Sequence, residues 1–328
     1  MKYFVTGATG FVGGRVARQL TEAGHHVVAL ARDPTKAGAL SELGISLAAG
    51  DITDKESMRA PMAGVDCIFH VAAWYKVGAR DTRPAHGINV EGTRNVLELM
   101  RELAIPRGVY TSTLAVFSDT HGQVVDERYR YHGPHISEYD RTKWLAHYEV
   151  ALPMIEQGLP LTIVQPGLVY GPGDTSLAHD NWVEYLRGRL LATPQRTAYC
   201  WAHVEDVAHG HILAMERGVP GETYIIAGPP HTLIEAMDTA QEITGRRAPR
   251  FHLSPAMMRV GALLLEPLSR LAALPPLYSP EGLRSAAGVT YLGSNQRARR
   301  ELGYQPRSLR EGLPETLAHE MQMLGQRR

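Results

Sequence analysis

The sequence predicts an α/β fold in which a doubly wound parallel sheet is joined to a smaller C-terminal lobe. Short apolar stretches alternate with helical patterns through the first half of the chain, as they do when helices cover both faces of a parallel sheet. A length of 328 residues is enough for two domains. We expect the first domain to comprise residues 1–171 and 197–228, and the second to comprise residues 172–196 and 229–328.

The positions of the apolar runs and of the helical periodicities give the order of the elements. Strands are predicted at residues 2–6, 26–31, 46–49, 67–71, 108–111, 161–165 and 222–227. Helices are predicted at residues 11–23, 54–60, 91–103 and 138–157. Ligands of such sheets bind beyond the carboxyl ends of the strands, so the residues that follow each strand are the candidates for a site.

The loop after the first strand, Thr6-Gly7-Ala8-Thr9-Gly10-Phe11-Val12-Gly13, has the residues of an anion site. Its backbone N–H groups and the N-terminus of the following helix carry partial positive charge. Gly7 permits the tight turn, Gly10 the approach of a phosphate, and Gly13 the close contact of helix and strand. We therefore expect a dinucleotide here, held by Gly7, Thr9, Gly10, Phe11, Val12 and Gly13.

The ends of the second and third strands bear on which dinucleotide binds. An NAD site usually has an acidic residue after the second strand, whereas an arginine there suits the 2′-phosphate of NADP. Arg32 occupies this place with Lys36 close behind, so NADP(H) is expected and NAD(H) is the alternative. Asp33 would serve NAD if the register slipped by one residue. After the third strand, Asp51 and Ile52 would lie beside the adenine, although Asp51 would equally well be a helix cap or a turn residue.

The fourth strand is followed first by small and then by large side chains. Val71, Ala72 and Ala73 leave room for a nucleotide close to the backbone, and Trp74 and Tyr75 come next. We expect these two aromatic side chains to face the cleft at the carboxyl edge of the sheet.

Hydroxyl groups that end the fifth strand, together with a later helix, supply the candidate chemistry. The strand ends in Thr111, Ser112 and Thr113, and Tyr139 and Lys143 then lie four residues apart on one face of the predicted helix. A phenol has an ordinary pKa of about 10, and a neighbouring ammonium together with the positive charge of an oxidised nicotinamide lowers that pKa towards the working range. Thr113 would hold a substrate oxygen against Tyr139. The alternative is a surface pair that only stabilises the helix.

Taken together, these motifs resemble the extended short-chain dehydrogenase/reductase superfamily, the NAD-dependent epimerase/dehydratase family. The resemblance also rests on Pro166-Gly167-Leu168-Val169-Tyr170-Gly171-Pro172-Gly173 and on Ala202-His203-Val204-Glu205-Asp206-Val207-Ala208. It implies a Rossmann-type first domain and a homodimer. It further implies that the nicotinamide amide contacts the backbone of Pro166, Gly167, Leu168 and Val169.

The same resemblance implies a role for each hydroxyl and for the lysine. Tyr139 would be the proton donor or acceptor, and Lys143 would hold the nicotinamide ribose and lower the pKa of Tyr139. Thr113 would orient the carbonyl, with Ser112 as the competing hydroxyl. Thr111 would belong to the cofactor site.

Several activities share this scaffold, so the choice among them must come from the site residues. Related dehydratases carry Thr-Asp-Glu where this chain has Thr113-Leu114-Ala115, which makes dehydration improbable. Arg32 argues against a sugar epimerase, which usually has an acidic residue after the second strand. An epimerase would hold a nucleotide diphosphate with arginines, for which Arg187, Arg189 and Arg196 are candidates.

The stretch Ala31-Arg32-Asp33-Pro34 resembles the dihydroflavonol-reductase and 3β-hydroxysteroid-dehydrogenase-like group. We therefore expect hydride transfer between NADP(H) and a medium-sized, fairly apolar ketone, aldehyde or secondary alcohol. The alternatives are an NAD-dependent nucleotide-sugar epimerase and a non-catalytic redox sensor that binds NADP. The expected substrate pocket is aromatic and contains Trp74, Tyr75, Phe117, Tyr170 and Trp182.

Charge and cysteine content argue against other classes of function. Lys+Arg and Asp+Glu each total 34, so the net charge is zero and gives no sign of a nucleic-acid partner. Two cysteines far apart in sequence do not suggest a disulfide framework. No spacing of ligating side chains predicts a metal site.

The apolar stretch 257–274 is interrupted by charged residues and a proline, and no uncharged run approaches the ~20 residues of a membrane span. It predicts an amphipathic helix over the substrate lobe or a partner, with peripheral membrane contact as the alternative. The first strand begins at once and leaves no room for a signal peptide, so a cytoplasmic protein is expected.

Overall fold

The computed structural model describes residues 1–76, 79, 81–271 and 276–325. The strands are β1 (Lys2–Thr6), β2 (His26–Ala31), β3 (Ser46–Ala49), β4 (Cys67–His70), β5 (Gly108–Thr111), β6 (Leu161–Pro166), β7 (Leu168–Tyr170), β8 (Ala192–Pro194), β9 (Ala198–His203), β10 (Thr223–Ile226), β11 (Pro230–Thr232), β12 (Phe251–Leu253) and β13 (Thr290–Tyr291).

The α-helices are α1 (Phe11–Glu22), α2 (Gly38–Glu42), α3 (Lys55–Met62), α4 (Arg83–His86), α5 (Gly92–Glu102), α6 (Glu138–Leu145), α7 (Leu152–Glu156), α8 (Leu177–Leu186), α9 (Val204–Arg217), α10 (Leu233–Thr244), α11 (Pro255–Leu271), α12 (Pro280–Ser285), α13 (Gln296–Leu302) and α14 (Leu309–Met323). Short 3₁₀ turns occur at Pro34–Lys36, Leu114–Phe117 and Pro276–Tyr278.

Seven parallel strands form the large sheet, in the order β10-β6-β5-β4-β1-β2-β3. The order reverses between β1 and β4, and a doubly wound sheet opens a ligand crevice at such a point. The fold class expected from the sequence is confirmed. All seven strands predicted from the apolar runs belong to this sheet.

Helices cover both faces of the large sheet because its strands are apolar on both sides. Tyr3 and Val5 of β1 contribute to the core under α1, α9 and α13, whereas Phe4 contributes to the core under α3, α5 and α7. This alternation is the two-residue period of a strand. Burying each such side chain contributes about 1.5–3 kcal/mol.

Two of the predicted helices contain a π-helical turn that the periodicity does not reveal. Gly87–Glu91 joins α4 to α5, so the helix expected at 91–103 begins earlier in the chain. Ala146–Ala151 joins α6 to α7 within the helix expected at 138–157. Pro153 follows this second turn and has no N–H for the regular helical hydrogen bond. This is consistent with the irregular backbone hydrogen bonding between α6 and α7.

The smaller sheets lie beyond the carboxyl edge of the large one. β9 pairs with β7, β11 and β13, and β8 pairs with β12. β9 therefore belongs to a smaller sheet, although it lies in the stretch 197–228 that we assigned to the first domain. The next elements, α9 and β10, do return to the large sheet. Trp182, Trp201 and Leu313 are central to the core of this smaller part.

α11 covers most of the apolar stretch predicted at 257–274, whose residues 272–274 lie outside the described part. No helix among the described residues is both long enough and apolar enough to cross a membrane.

Candidate active site

A cavity of about 760 Å³ lies at the carboxyl end of the large sheet and is lined by residues of the large sheet and of the smaller lobe. Nearly all residues predicted to bind a cofactor line it. These are Gly7, Thr9, Gly10, Phe11, Val12, Gly13, Arg32, Asp51, Ile52, Val71, Ala72, Ala73, Thr111, Pro166, Gly167, Leu168 and Val169. Lys36 is the exception. Thr113, Tyr139 and Lys143 line the same cavity.

The loop between β1 and α1 brings bare backbone to the cavity. Gly7 has a φ of +75°, and a Cβ there would lie 2.6 Å from the backbone nitrogen of Ala72. A Cβ on Gly13 would collide with the carbonyl oxygen of Gly7. Gly10 caps α1 without a side-chain hydrogen bond, and the first turn of α1 holds no acidic residue. These features fit the phosphates of a dinucleotide, which bind to backbone N–H groups at a helix N-terminus.

After β2, the basic residue Arg32 lines the cavity and the acidic residue Asp33 does not. β2 ends at Ala31 as predicted, and the exposed Arg32 lines the cavity. Asp33 accepts hydrogen bonds from the backbone N–H (3.1 Å) and the hydroxyl (2.6 Å) of Thr35. Lys36 forms an ion pair with Asp33 at 3.2 Å. Asp33 does not line the cavity, so the one-residue slip that would favour NAD does not occur.

Asp51 lines the cavity and shapes the turn after β3. Its Oδ1 accepts hydrogen bonds from both the backbone N–H and the hydroxyl of Thr53, each 2.9 Å long. The cap of α3 is Asp54, whose Oδ1 accepts the N–H of Ser57 at 3.4 Å. Asp51 is therefore a turn residue, which is one of the two alternatives to a cofactor contact, and it is not the cap of α3.

Thr113 and Tyr139 both line the cavity. A hydrogen bond from Thr113 lowers the pKa of Tyr139, but burial of the phenol has the larger effect and raises that pKa above its ordinary value. Thr113 also accepts the N–H of Ala115 at 3.2 Å, which fixes its side chain. The hydroxyl of Ser112 is buried and bonded to Nδ1 of His147 at 2.8 Å. Geometry thus favours Thr113 over Ser112.

Lys143 is buried at the cavity wall, and two neighbouring groups hold its ammonium. Nζ donates to the carbonyl of Thr111 at 2.7 Å and to the hydroxyl of Tyr110 at 3.2 Å. Burial lowers the pKa of Lys143 to about 7. Burial and Asp140 raise the pKa of Tyr139, and Thr113 lowers it. The lowering of the Tyr139 pKa by Lys143 together with an oxidised nicotinamide stays a prediction.

Of the five aromatic side chains expected in a substrate pocket, only Tyr75 lines the cavity. Its ring meets the Tyr139 ring edge-on, with centroids 4.8 Å apart. The other four are buried in the interior and do not line the cavity, so their assignment is wrong: Trp74, Phe117, Tyr170 and Trp182. Their hydrophobic surface is used to build the core, which is the commoner use of buried aromatic residues.

Four further lining residues form a connected group that the sequence did not reveal. The rings of Tyr199 and Tyr291 are stacked, with centroids 5.8 Å apart and planes at 7°. The Tyr291 hydroxyl donates to Oδ2 of Asp140 at 3.0 Å, and the Ser137 hydroxyl bonds Oδ1 at 2.8 Å. Burial raises the pKa of Asp140 to about 7, against the effect of these hydrogen bonds. Asp140 adjoins Tyr139 in sequence, but no local pattern links it to Tyr199 or Tyr291.

Two other expectations concern metals and arginines. The described residues contain no group of three or more His, Cys, Asp and Glu side chains placed to hold a metal ion. None of Arg187, Arg189 and Arg196 lines the cavity. Arg32 is the one arginine among its described lining residues, and it lies at the end of β2.

The sequence matches the family described as "NAD dependent epimerase/dehydratase family" over residues 3–227. It is 31% identical to sterol demethylase protein B of Methylococcus capsulatus over 324 residues, covering 97% of this chain and 98% of the relative. It is 33% identical to 2-alkyl-3-oxoalkanoate reductase of Stenotrophomonas maltophilia over 331 residues, covering 95% of this chain and 97% of the relative.

One solved structure is similar to this chain over nearly its whole length. The crystal structure of gox2253 superposes with a TM-score of 0.86 at 33% sequence identity, covering 99% of each chain. The similarity therefore extends over the large sheet and the smaller lobe alike.

Proposed function

The chain belongs to the NAD dependent epimerase/dehydratase family, and from this premise we propose that it interconverts an apolar ketone or aldehyde and the corresponding alcohol, using NADP(H). A nicotinamide-dependent oxidoreductase of this family acts on C=O or CH–OH groups. The observation that carries the proposal is that Thr113 and Tyr139 line the same cavity as the glycine loop.

Each end of the proposed cofactor has residues of suitable chemistry. The loop from Gly7 to Gly13 would hold the pyrophosphate. Arg32 would bind the 2′-phosphate that distinguishes NADP from NAD, since a guanidinium forms forked hydrogen bonds with phosphate. The backbone from Pro166 to Val169 would contact the nicotinamide. NAD(H) is the alternative cofactor.

The side chains of Thr113 and Tyr139 suit the reduction of a carbonyl. When bound, the nicotinamide supplies the hydride that the carbonyl carbon receives. Thr113 would hold the carbonyl oxygen by a hydrogen bond, and Tyr139 would give that oxygen its phenolic proton. Because the pKa of Tyr139 is raised, the phenol is protonated at neutral pH and ready to donate.

The substrate end of the cavity supports an apolar substrate more than a nucleotide sugar. Tyr75, Tyr199 and Tyr291 line it, and no arginine of its described lining lies there to hold a diphosphate. The two relatives described above are named for a sterol and for a 2-alkyl-3-oxoalkanoate, both of which are largely hydrocarbon.

The proposal is tested by following NADPH oxidation with a panel of steroid ketones and long-chain 3-oxo acids. Tyr139→Phe should lower kcat by about a hundredfold to ten-thousandfold, the usual contribution of a general acid, and leave NADPH binding intact. Tyr148→Phe is the matched control, because Tyr148 follows on the same helix, bonds the carbonyl of Tyr129 and lies outside the cavity. Full turnover by Tyr139→Phe would refute the mechanism. Conversion of a UDP-sugar without net redox change would establish an epimerase instead.

The homodimer and the cytoplasmic location that the resemblance and the sequence suggest belong to the same proposal. Size-exclusion chromatography with light scattering measures the first, and cell fractionation the second.

A further inference from the structure

α11 presents most of its large apolar side chains to solvent. Leu263 is 70% exposed and Leu264 74% exposed, whereas Ala262 and Met258 are buried. The other exposed members of this face are Met257, Val260 and Leu268. They recur at intervals of three and four residues, so they form one stripe along the helix. A surface helix of a globular protein usually has the opposite arrangement.

The exposed stripe continues into the preceding strand pair. β12 leads directly into α11 and pairs with β8. Phe251, the first residue of β12, is 75% exposed, and Leu191, which precedes β8, is 76% exposed. These exposed side chains and the leucine stripe of α11 are here called the apolar patch, and exposed apolar patches mark binding surfaces.

Basic residues lie next to the patch in sequence, although the whole chain is neutral. Residues 246–270 contain five arginines and one acidic residue, Glu266. Glu266 is already paired with Arg284 at 3.1 Å. Arg247, Arg250 and Arg259 are exposed, and no described carboxylate lies within ion-pair distance of them. A local excess of arginine beside exposed leucines requires a partner that is both apolar and anionic.

We propose that α11 and β12 dock on the surface of an anionic lipid bilayer, with the leucine stripe in the interface and the arginines at the phosphates. Amphipathic helices bind membranes in this way, and basic residues strengthen the attachment to anionic lipid. A second copy of this chain fits less well. In a two-fold symmetric contact the same patch is used by both copies. The arginines of the two copies would then lie in one interface, which like charges disfavour.

The surface adjoins the cavity through α12. This helix packs on α11 and contributes Ser285 to the cavity lining. A bilayer on α11 would therefore lie near the substrate end of the cavity, where an apolar substrate dissolved in lipid would enter. This last consequence rests on the proposed function, whereas the docking itself does not.

The test is co-sedimentation with vesicles of phosphatidylcholine alone and of phosphatidylcholine mixed with phosphatidylglycerol, without cofactor or substrate. We expect binding to the mixed vesicles that weakens as salt is raised. The double substitution L263S/L264S should reduce the partition coefficient by at least about tenfold, as expected for losing two buried leucines. The double substitution R250Q/R259Q should remove the preference for anionic vesicles and the dependence on salt.

Val219→Ser is the matched control, because Val219 is also exposed but lies far along the chain, beyond α9. It should bind vesicles as the wild type does, and thermal unfolding should show that every variant folds. The proposal is overturned if the wild-type protein stays in the supernatant with anionic vesicles at low salt. It is also overturned if L263S/L264S leaves vesicle binding unchanged but converts a dimer to a monomer in sedimentation velocity, since the stripe would then be a contact between copies.

Discussion

The Lys143 ammonium lies over the ring of Tyr110, with Nζ 4.7 Å from the ring centroid and 3.2 Å from the phenolic oxygen. Tyr110 and the carbonyl of Thr111 thus hold the cation in a buried place that offers dipoles and a π face but no carboxylate. Such partners compensate only part of the lost hydration of an ammonium.

The first prediction concerns this buried cation. The pKa of Lys143 is about 7 in the folded protein against an ordinary 10.5, so the unfolded chain binds the extra proton between these pH values. Stability should therefore rise with pH across this window, and the full destabilising effect should be present below pH 7. Between about pH 7 and pH 9, the free energy of unfolding of the wild type should rise by on the order of 2 kcal/mol relative to that of Lys143→Met. Urea unfolding at both pH values measures this difference.

Lys36→Met is the control, since its side chain is exposed on the surface. It should follow the wild type at both pH values. Identical pH dependence in the wild type and Lys143→Met would show that the ammonium is not destabilised by burial.

The second prediction concerns Asp140, whose pKa is raised from 3.8 to about 7. The folded protein therefore binds a proton that the unfolded chain has lost, and stability should fall as pH rises from about 4 to 7. Asp140→Asn cannot ionise at this position. Between about pH 5 and pH 7, its free energy of unfolding should therefore fall by on the order of 2 kcal/mol less than that of the wild type. Asp238→Asn, on the exposed side of α10, should leave the wild-type profile unchanged. An unaltered slope in Asp140→Asn would mean that this carboxyl ionises normally.

The third prediction concerns the choice of cofactor. Arg32→Ala should weaken NADPH binding by about tenfold to a hundredfold, the usual worth of a charge-assisted hydrogen bond, and NADH binding by less than about twofold. Fluorescence titration of both nucleotides measures this change. Lys36→Ala, which removes a cation outside the cavity, should change neither affinity. Equal losses for the two nucleotides would place Arg32 away from the 2′-phosphate.

The fourth prediction concerns the contact between α1 and β1. Gly13→Ala drives a methyl group into the carbonyl of Gly7, which should cost about 1–3 kcal/mol of stability and displace the phosphate loop. Calorimetry and NADPH titration should both register the change. Gly38→Ala is the control, because no atom lies within 4 Å of the added methyl group. Normal NADPH affinity in a folded Gly13→Ala protein would contradict the role of this loop.

The sequence revealed the large sheet well because most of its strands are buried on both faces. Such strands are continuous apolar runs, and β1 and β2 were predicted residue for residue. The bounds of β3 were also predicted, although this edge strand is more exposed. The residues of the phosphate loop were equally visible, since glycines at Gly7, Gly10 and Gly13 leave few alternatives between a strand and a helix.

The substrate end of the cavity was not visible, for two physical reasons. Tyr199 and Tyr291 come from strands of six and two residues in distant parts of the chain, and only the tertiary fold stacks them. Trp182 and Phe117 are aromatic, as expected of residues that line an apolar pocket, yet both are completely buried in the interior. Hydrophobicity alone does not distinguish a side chain that lines a cavity from one that fills a core.

The large sheet is left at Pro166 and rejoined only at Thr223, after the chain has passed through part of the smaller lobe. Until β10 has been synthesised, the edge of β6 is unpaired, and every residue of that strand is one that the finished protein buries. A nascent or truncated chain that stops before Thr223 thus offers a ready template for intermolecular strand pairing. We expect such chains to aggregate and to depend on chaperones, a hazard that ends when residues 223–226 cover the edge.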